Sequence, residues 1–139
     1  MANKVKMLLT AAVLAGVMGQ GAQSQTYNCA VKTFGRNDGI SPIMIFTINP
    51  NSDKMLVHDV HSLAMKRPPW GGKIRKRTDK RIDFSWTIKA MGTANGSPMT
   101  VIGDYSAAFI LTSGKIFINA AFRGADNRLD GTGRCQIKK

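Results

Sequence analysis

The chain contains no glutamate. Its eight acids are all aspartates: Asp38, Asp53, Asp59, Asp79, Asp83, Asp104, Asp126 and Asp130. The paired glutamates of many acid–base hydrolases are therefore excluded. The G-x-S-x-G, H-E-x-x-H and Walker-loop signatures are also absent. Asp83 and Asp104 lie on strand-like segments and could approach each other, but polar positions of this kind are ordinary wet-face residues. The expectation is a protein that is not an enzyme and carries no cofactor. There are two histidines, His58 and His61. An offset of three puts them on opposite faces of a strand, and only a bend after Val60 would bring them together. With no third ligand placed, no metal site is expected. No apolar run reaches the roughly 20 residues that a membrane-spanning helix needs.

Cysteine is scarce as well. Cys29 and Cys135 are the only two, with no C-x-x-C and no histidine nearby. In an oxidising compartment such a pair reads as a disulfide closing a loop of about a hundred residues. The first residues point to that compartment. Lys4 and Lys6 precede an apolar run from Met7 to Met18, and Ala22-Gln23-Ser24 is an A-x-S cleavage site. This is the order of a secretory signal peptide. Residues 1–24 are expected to be removed, leaving 25–139 as a single β domain in the periplasm or secreted. No cysteine follows the leader directly, so no lipid anchor is expected.

What the chain has in excess is positive charge, +12 in all. About +10 remains once Lys4 and Lys6 leave with the signal peptide. A field of that sign attracts anionic lipid, lipopolysaccharide or acidic glycan; export sets nucleic acid aside. The charge is densest from Lys66 to Arg81, where Lys66, Arg67, Lys73, Arg75, Lys76, Arg77, Lys80 and Arg81 stand against one acid, Asp79. Pro68-Pro69-Trp70-Gly71-Gly72 lies inside this run. Two prolines stiffen the entry, two glycines let the chain turn, and the indole of Trp70 suits an interface or a sugar face. The functional reading is an anion-binding loop. The bland one is a solvated strand pair with Trp70 folded over a barrel mouth.

The rest of the chain reads as strands. Ile82, Phe84, Trp86 and Ile88 alternate with polar residues, and Tyr105, Ala107, Phe109 and Leu111 repeat the period of two. Thr112-Ser113-Gly114 turns the second segment into Lys115–Phe122, which predicts a hairpin. Tyr27–Phe34 and Leu129–Ile137 carry the cysteines and are expected to pair. Ile43–Ile48, Met55–Val60 and Met99–Ile102 complete the set, with Gly103 expected as a bulge. A helical period is absent, and only the neighbourhood of Ser62–Met65 leaves room for a helical turn. Phe84, Trp86, Tyr105, Phe109 and Phe117 are expected in the core. Seven or eight strands of this kind form an all-β fold, either a small antiparallel up-and-down barrel of lipocalin-like type or a sandwich, closed by the disulfide.

The layout of Tyr27-Asn28-Cys29 early and Gly131-Thr132-Gly133-Arg134-Cys135 late resembles small exported bacterial proteins. The early Y-x-C and the late cysteine are similar to the periplasmic lysozyme inhibitors of lipocalin-like barrel type. That resemblance implies a barrel that binds a protein partner. The inhibitors' Ser-Gly loop has no counterpart here: Thr112-Ser113-Gly114 has the dipeptide without the aromatic context, and no site residue is carried over. A basic chain also meets a basic lysozyme unfavourably. Three readings follow: a binder of an anionic envelope component through the basic run, a barrel holding a small apolar ligand, and a protein inhibitor of an extracytoplasmic enzyme.

Overall fold

The computed structural model describes residues 23–34, 39–64 and 66–138. Of the expected signal peptide only Gln23 and Ser24 fall within them. Eight strands follow one another: β1 (Gln25–Thr33), β2 (Ile43–Ile48), β3 (Lys54–Asp59), β4 (Trp70–Arg77), β5 (Arg81–Ala94), β6 (Ser97–Ile110), β7 (Lys115–Phe122) and β8 (Arg128–Ile137). A single helical turn, α1 (Val60–Ala64), separates β3 from β4. Each strand pairs antiparallel with the next, and β8 pairs with β1, so the sheet closes into a barrel. The barrel, not the sandwich, is the fold.

Closure is made at the ends of the chain. Cys29 stands directly opposite Cys135 in the β1–β8 ladder, and the two are bonded. Gly133 makes the close approach possible, because a Cβ there would collide with the Ala30 carbonyl oxygen of β1.

The alternating residues of every strand fill the lumen. Phe46, Phe84, Met44, Ile116, Ile118 and Val57 are almost fully enclosed. Eight strands give an interior that such side chains just fill. Aromatic rings form its axis: Phe84 stacks on Trp86, Trp86 on Tyr105, and Phe122 meets Tyr105 edge-on. A hollow carrier lumen is therefore replaced by a packed core.

Two expectations are corrected. β6 runs unbroken through Gly103, which pairs with Ile88 and Phe122. The glycine is there for space: a Cβ would lie 2.7 Å from the Tyr105 ring and 3.0 Å from Phe122. The bulge falls instead in β4, between Ile74 and Lys76, and leaves Arg75 as the extra residue. Phe117 is not core. Ile116, Ile118 and Ala120 take the inward phase of β7, which turns Phe117 outward at 45% exposure. The helical turn has a local cause. Asp59 accepts from the Ser62 N–H at 2.7 Å while the Ser62 hydroxyl oxygen accepts from the Asp59 N–H at 2.9 Å, a reciprocal N-terminal cap.

The disulfide spans 106 residues of sequence. Reduction is expected to raise the intact mass by about 2 Da and to lower unfolding stability by about 4 to 5 kcal/mol in the chain-entropy account. Mass spectrometry and denaturant titration with and without reductant check both; an unchanged mass would remove the staple.

Candidate functional site on the outer wall

The basic run does not form one loop. Lys66 and Arg67 sit at the barrel end where β1 finishes and β2 begins, here the upper rim. Backbone N–H groups of both donate to α1 carbonyls, Lys66 to Leu63 and Arg67 to Ser62. From Trp70 to Arg77 the run is β4, whose 8 residues extend about 25 Å down the wall. Lys80 and Arg81 lie at the lower end. One sequence cluster thus becomes three levels.

Several of these cations are already engaged. Arg77 donates to three backbone carbonyls of the β2–β3 turn, at Asn49, Pro50 and Ser52. Arg81 pairs with Asp83 at 2.6 Å, and Lys76 stands opposite Asp83 in the ladder. Asp83 and Asp104 do not meet: each has its own arginine, Arg81 and Arg123. Trp70 is not at a loop tip. It opens β4 half-buried, packed on the core opposite Val57, with its indole N–H enclosed and unpartnered. His58 faces outward on β3 with a buried, unpartnered Nδ1. The chain turns into α1 at Val60, and the His61 side chain lies outside the description. Among the described residues no group of three metal-ligating side chains comes together.

What remains is a shallow basin of about 680 Å³ on the outer face of β4, β5 and β6. Lys73 and Arg75 enter it from β4. Lys73 stands directly opposite Lys54 of β3, an unfavourable pairing of like charges. The Arg75 Nε–H donates to the Ser85 hydroxyl at 2.8 Å, which holds the guanidinium on the wall. Gly71 keeps the floor low, since a Cβ there would touch nothing within 4 Å. Asp104 closes the far side. Arg123 grips its carboxylate with two N–H donors, at 2.9 and 3.1 Å, and Thr87 donates at 2.9 Å. The Arg123 hydrogen bond, then that from Thr87, hold the carboxyl below the usual range. Asp104 thus stays ionised and neutralises Arg123, leaving Lys73 and Arg75 as the basin's unpaired cations among the described residues beside two hydroxyls, with Lys54 next to its edge across the β3–β4 ladder.

Lys54, Ser85, Thr87 and Arg123 escaped the sequence reading, and Asp104 entered it only as a residue that could approach Asp83 and an ordinary wet-face residue. Lys54 lies outside the dense run, and only the β3–β4 register brings it to Lys73. A second cationic groove of about 510 Å³ lies on the β1–β8–β7 wall, where Lys32, Lys115 and Arg134 surround Phe117. At the upper rim a cavity of about 480 Å³ opens over the packed core, lined by Ile40, Met44, Ile88 and Val101 with Asp59 and Tyr105. Tyr105 donates to the Gly39 carbonyl at 2.5 Å across it. Burial, then the nearby Asp59 charge, push the Tyr105 phenol up to about 12.

The chain matches no family model, no curated protein and no solved structure. No helix among the described residues is long and apolar enough to cross a membrane.

Two outcomes follow. The chain has two tyrosines, and burial raises Tyr27 as well. Unfolded phenols titrate near 10, so the stability that neutral phenols contribute is complete below pH 10 and is lost as pH rises towards 12. Phenolate absorbance should stay low at pH 10 in the folded protein and appear there on adding denaturant; early ionisation in the fold would contradict the burial. Arg77→Ala should lower stability by about 1 kcal/mol, by freeing the β2–β3 turn. It should leave anion affinity close to wild type, as read by denaturant melts beside a binding titration.

Proposed function

We propose that this protein is an exported binding protein that captures an anionic component of the cell envelope, such as lipopolysaccharide or an acidic glycan, on the outer wall of its barrel. One observation carries the reading: Lys54 and Lys73 face each other across β3 and β4, with Arg75 fixed beside them over a glycine floor. A cross-strand lysine pair is unfavourable alone and becomes favourable when a phosphate, sulfate or carboxylate bridges it. Ser85 and Thr87 supply hydroxyls for the same groups, and Arg123 is held at the edge by Asp104. The packed lumen supports an external site over an internal one. Such binding weakens as salt rises.

The test compares two variants that remove equal charge from different levels. Lys54→Ser/Lys73→Ser/Arg75→Ser should elute from immobilised heparin at markedly lower salt than wild type and lose retention on lipopolysaccharide. Lys76→Ser/Lys80→Ser/Lys115→Ser should change little by comparison. Equal losses in both would mean diffuse charge attraction and would overturn a defined site.

A further inference from the structure

β5 and β6 are 14 residues each, longer than every other strand. β4 covers β5 only up to Trp86, and β7 covers β6 only from Gly103 downward. The upper parts, about Thr87–Ala94 and Ser97–Ile102, pair with each other alone. They stand beyond the wall as a two-stranded arm, closed by Asn95-Gly96 with φ of 51° and 76°, the left-handed pair that a tight hairpin turn requires.

This arm lacks charge. From Ala90 to Gly103 there is no charged residue, and Lys89 and Asp104 bracket the stretch. Met91 is 71% exposed on one face and Met99 42% on the other. The neighbouring rim is apolar too. Nine large apolar side chains among the described residues are exposed, and six of them (Phe34, Ile43, Val60, Leu63, Met91, Met99) gather at this end of the barrel. Exposed apolar groups concentrated at one end mark an interaction surface.

The partner's chemistry follows from two further features. A protein strand added to the arm would need a free hydrogen-bonding edge. Pro98 removes a donor from the β6 edge and Lys89 places a charge on the β5 edge, both devices that block strand addition. The cations at this end, Lys66, Arg67, Lys89 and Arg128, are all exposed; of the acids there, Asp59 is buried in the α1 cap, Asp104 is held by Arg123, and Asp126 is exposed in the β7–β8 loop two residues from Arg128. Apolar tips flanked by the exposed Lys66, Arg67 and Lys89 match the boundary between acyl chains and anionic headgroups.

We propose that the upper rim is a docking end for an anionic phospholipid bilayer, with Met91, Met99 and Phe34 entering the interface and Lys66, Arg67 and Lys89 against the phosphates. Entry is shallow, about 5 to 10 Å, so the backbone edges of the arm stay at headgroup level, where water can satisfy them. This surface is separate from the Lys73–Arg75 basin and the neighbouring Lys54, and does not rest on them.

The test uses vesicles of phosphatidylglycerol and phosphatidylcholine, with pure phosphatidylcholine as reference. A polarity-sensitive NBD label on Met91→Cys should shift to the blue and become shielded from an aqueous quencher on the anionic vesicles. The same label on Ser113→Cys, at the opposite end, should stay in water. Met91→Asp/Met99→Asp, both at exposed positions, should cost roughly tenfold or more in vesicle affinity while its heparin elution stays as in wild type. Lys54→Ser/Lys73→Ser/Arg75→Ser should keep the blue shift at position 91. An unshifted label at saturating vesicles would overturn the proposal. So would full vesicle binding by Met91→Asp/Met99→Asp, or a Met91-dependent self-association with no vesicle effect, which would make the arm an interface between copies of the chain.

Discussion

The pairing of β1 with β8 is the contact on which every other part of this structure depends. It joins segments at opposite ends of the described chain through seven register positions, from Tyr27 opposite Ile137 to Thr33 opposite Gly131. Until it forms, the sheet has two open edges and no defined inside. Once it forms, the phase of each strand is set, because a slip of one residue would exchange inner and outer faces. Closing so long a loop costs entropy before any contact rewards it. The Cys29–Cys135 bond sits within this ladder, and Gly133 lets the two backbones come close enough to make it.

Closure also decides where binding can happen. The inward phase carries Phe46, Phe84, Trp86, Tyr105 and Phe109, which fill the middle of the lumen and leave a cavity only at the upper rim. The charge is left to the outward phase and the ends. There it divides: some cations brace turns, as Arg77 does at the β2–β3 turn, some are neutralised by aspartate, and others have no acidic partner among the described residues; of these, Lys54 and Lys73 stand directly opposite each other with Arg75 beside them. An account of the net charge of +12 that treated all these residues alike would miss that division.

Most of the barrel was legible from alternation. Ile82–Ile88 and Tyr105–Leu111 have one apolar phase, so their faces follow from the sequence, and the terminal cysteines pointed to the strands that pair. Lys115–Phe122 has apolar residues in both phases, so periodicity could not place Phe117; its pairing with Ala108 and Thr132 does. Gly103 looked like a bulge because a glycine in a strand is ambiguous between a kink and a tight contact, and the rings that demand it come from Tyr105 and Phe122. The Lys66–Arg81 run looked like one patch because sequence distance hides height: a strand carries successive cations about 3.3 Å apart along the wall. Lys54 and Arg123 could not be found from local pattern, since only the registers of β3 with β4 and of β6 with β7 bring those parts of the wall together.

The claim that the cationic basin, and not the overall charge, is what recognises an anion is tested most directly by residue-resolved NMR. A short heparin oligosaccharide would be titrated into the labelled protein at physiological salt. The account predicts saturable amide shifts centred on Lys54, Lys73, Arg75, Ser85 and Thr87, with Lys80 and the Lys115–Arg134 wall left nearly still. Shifts spread evenly over all exposed cations, or centred on the groove beside Phe117, would contradict it.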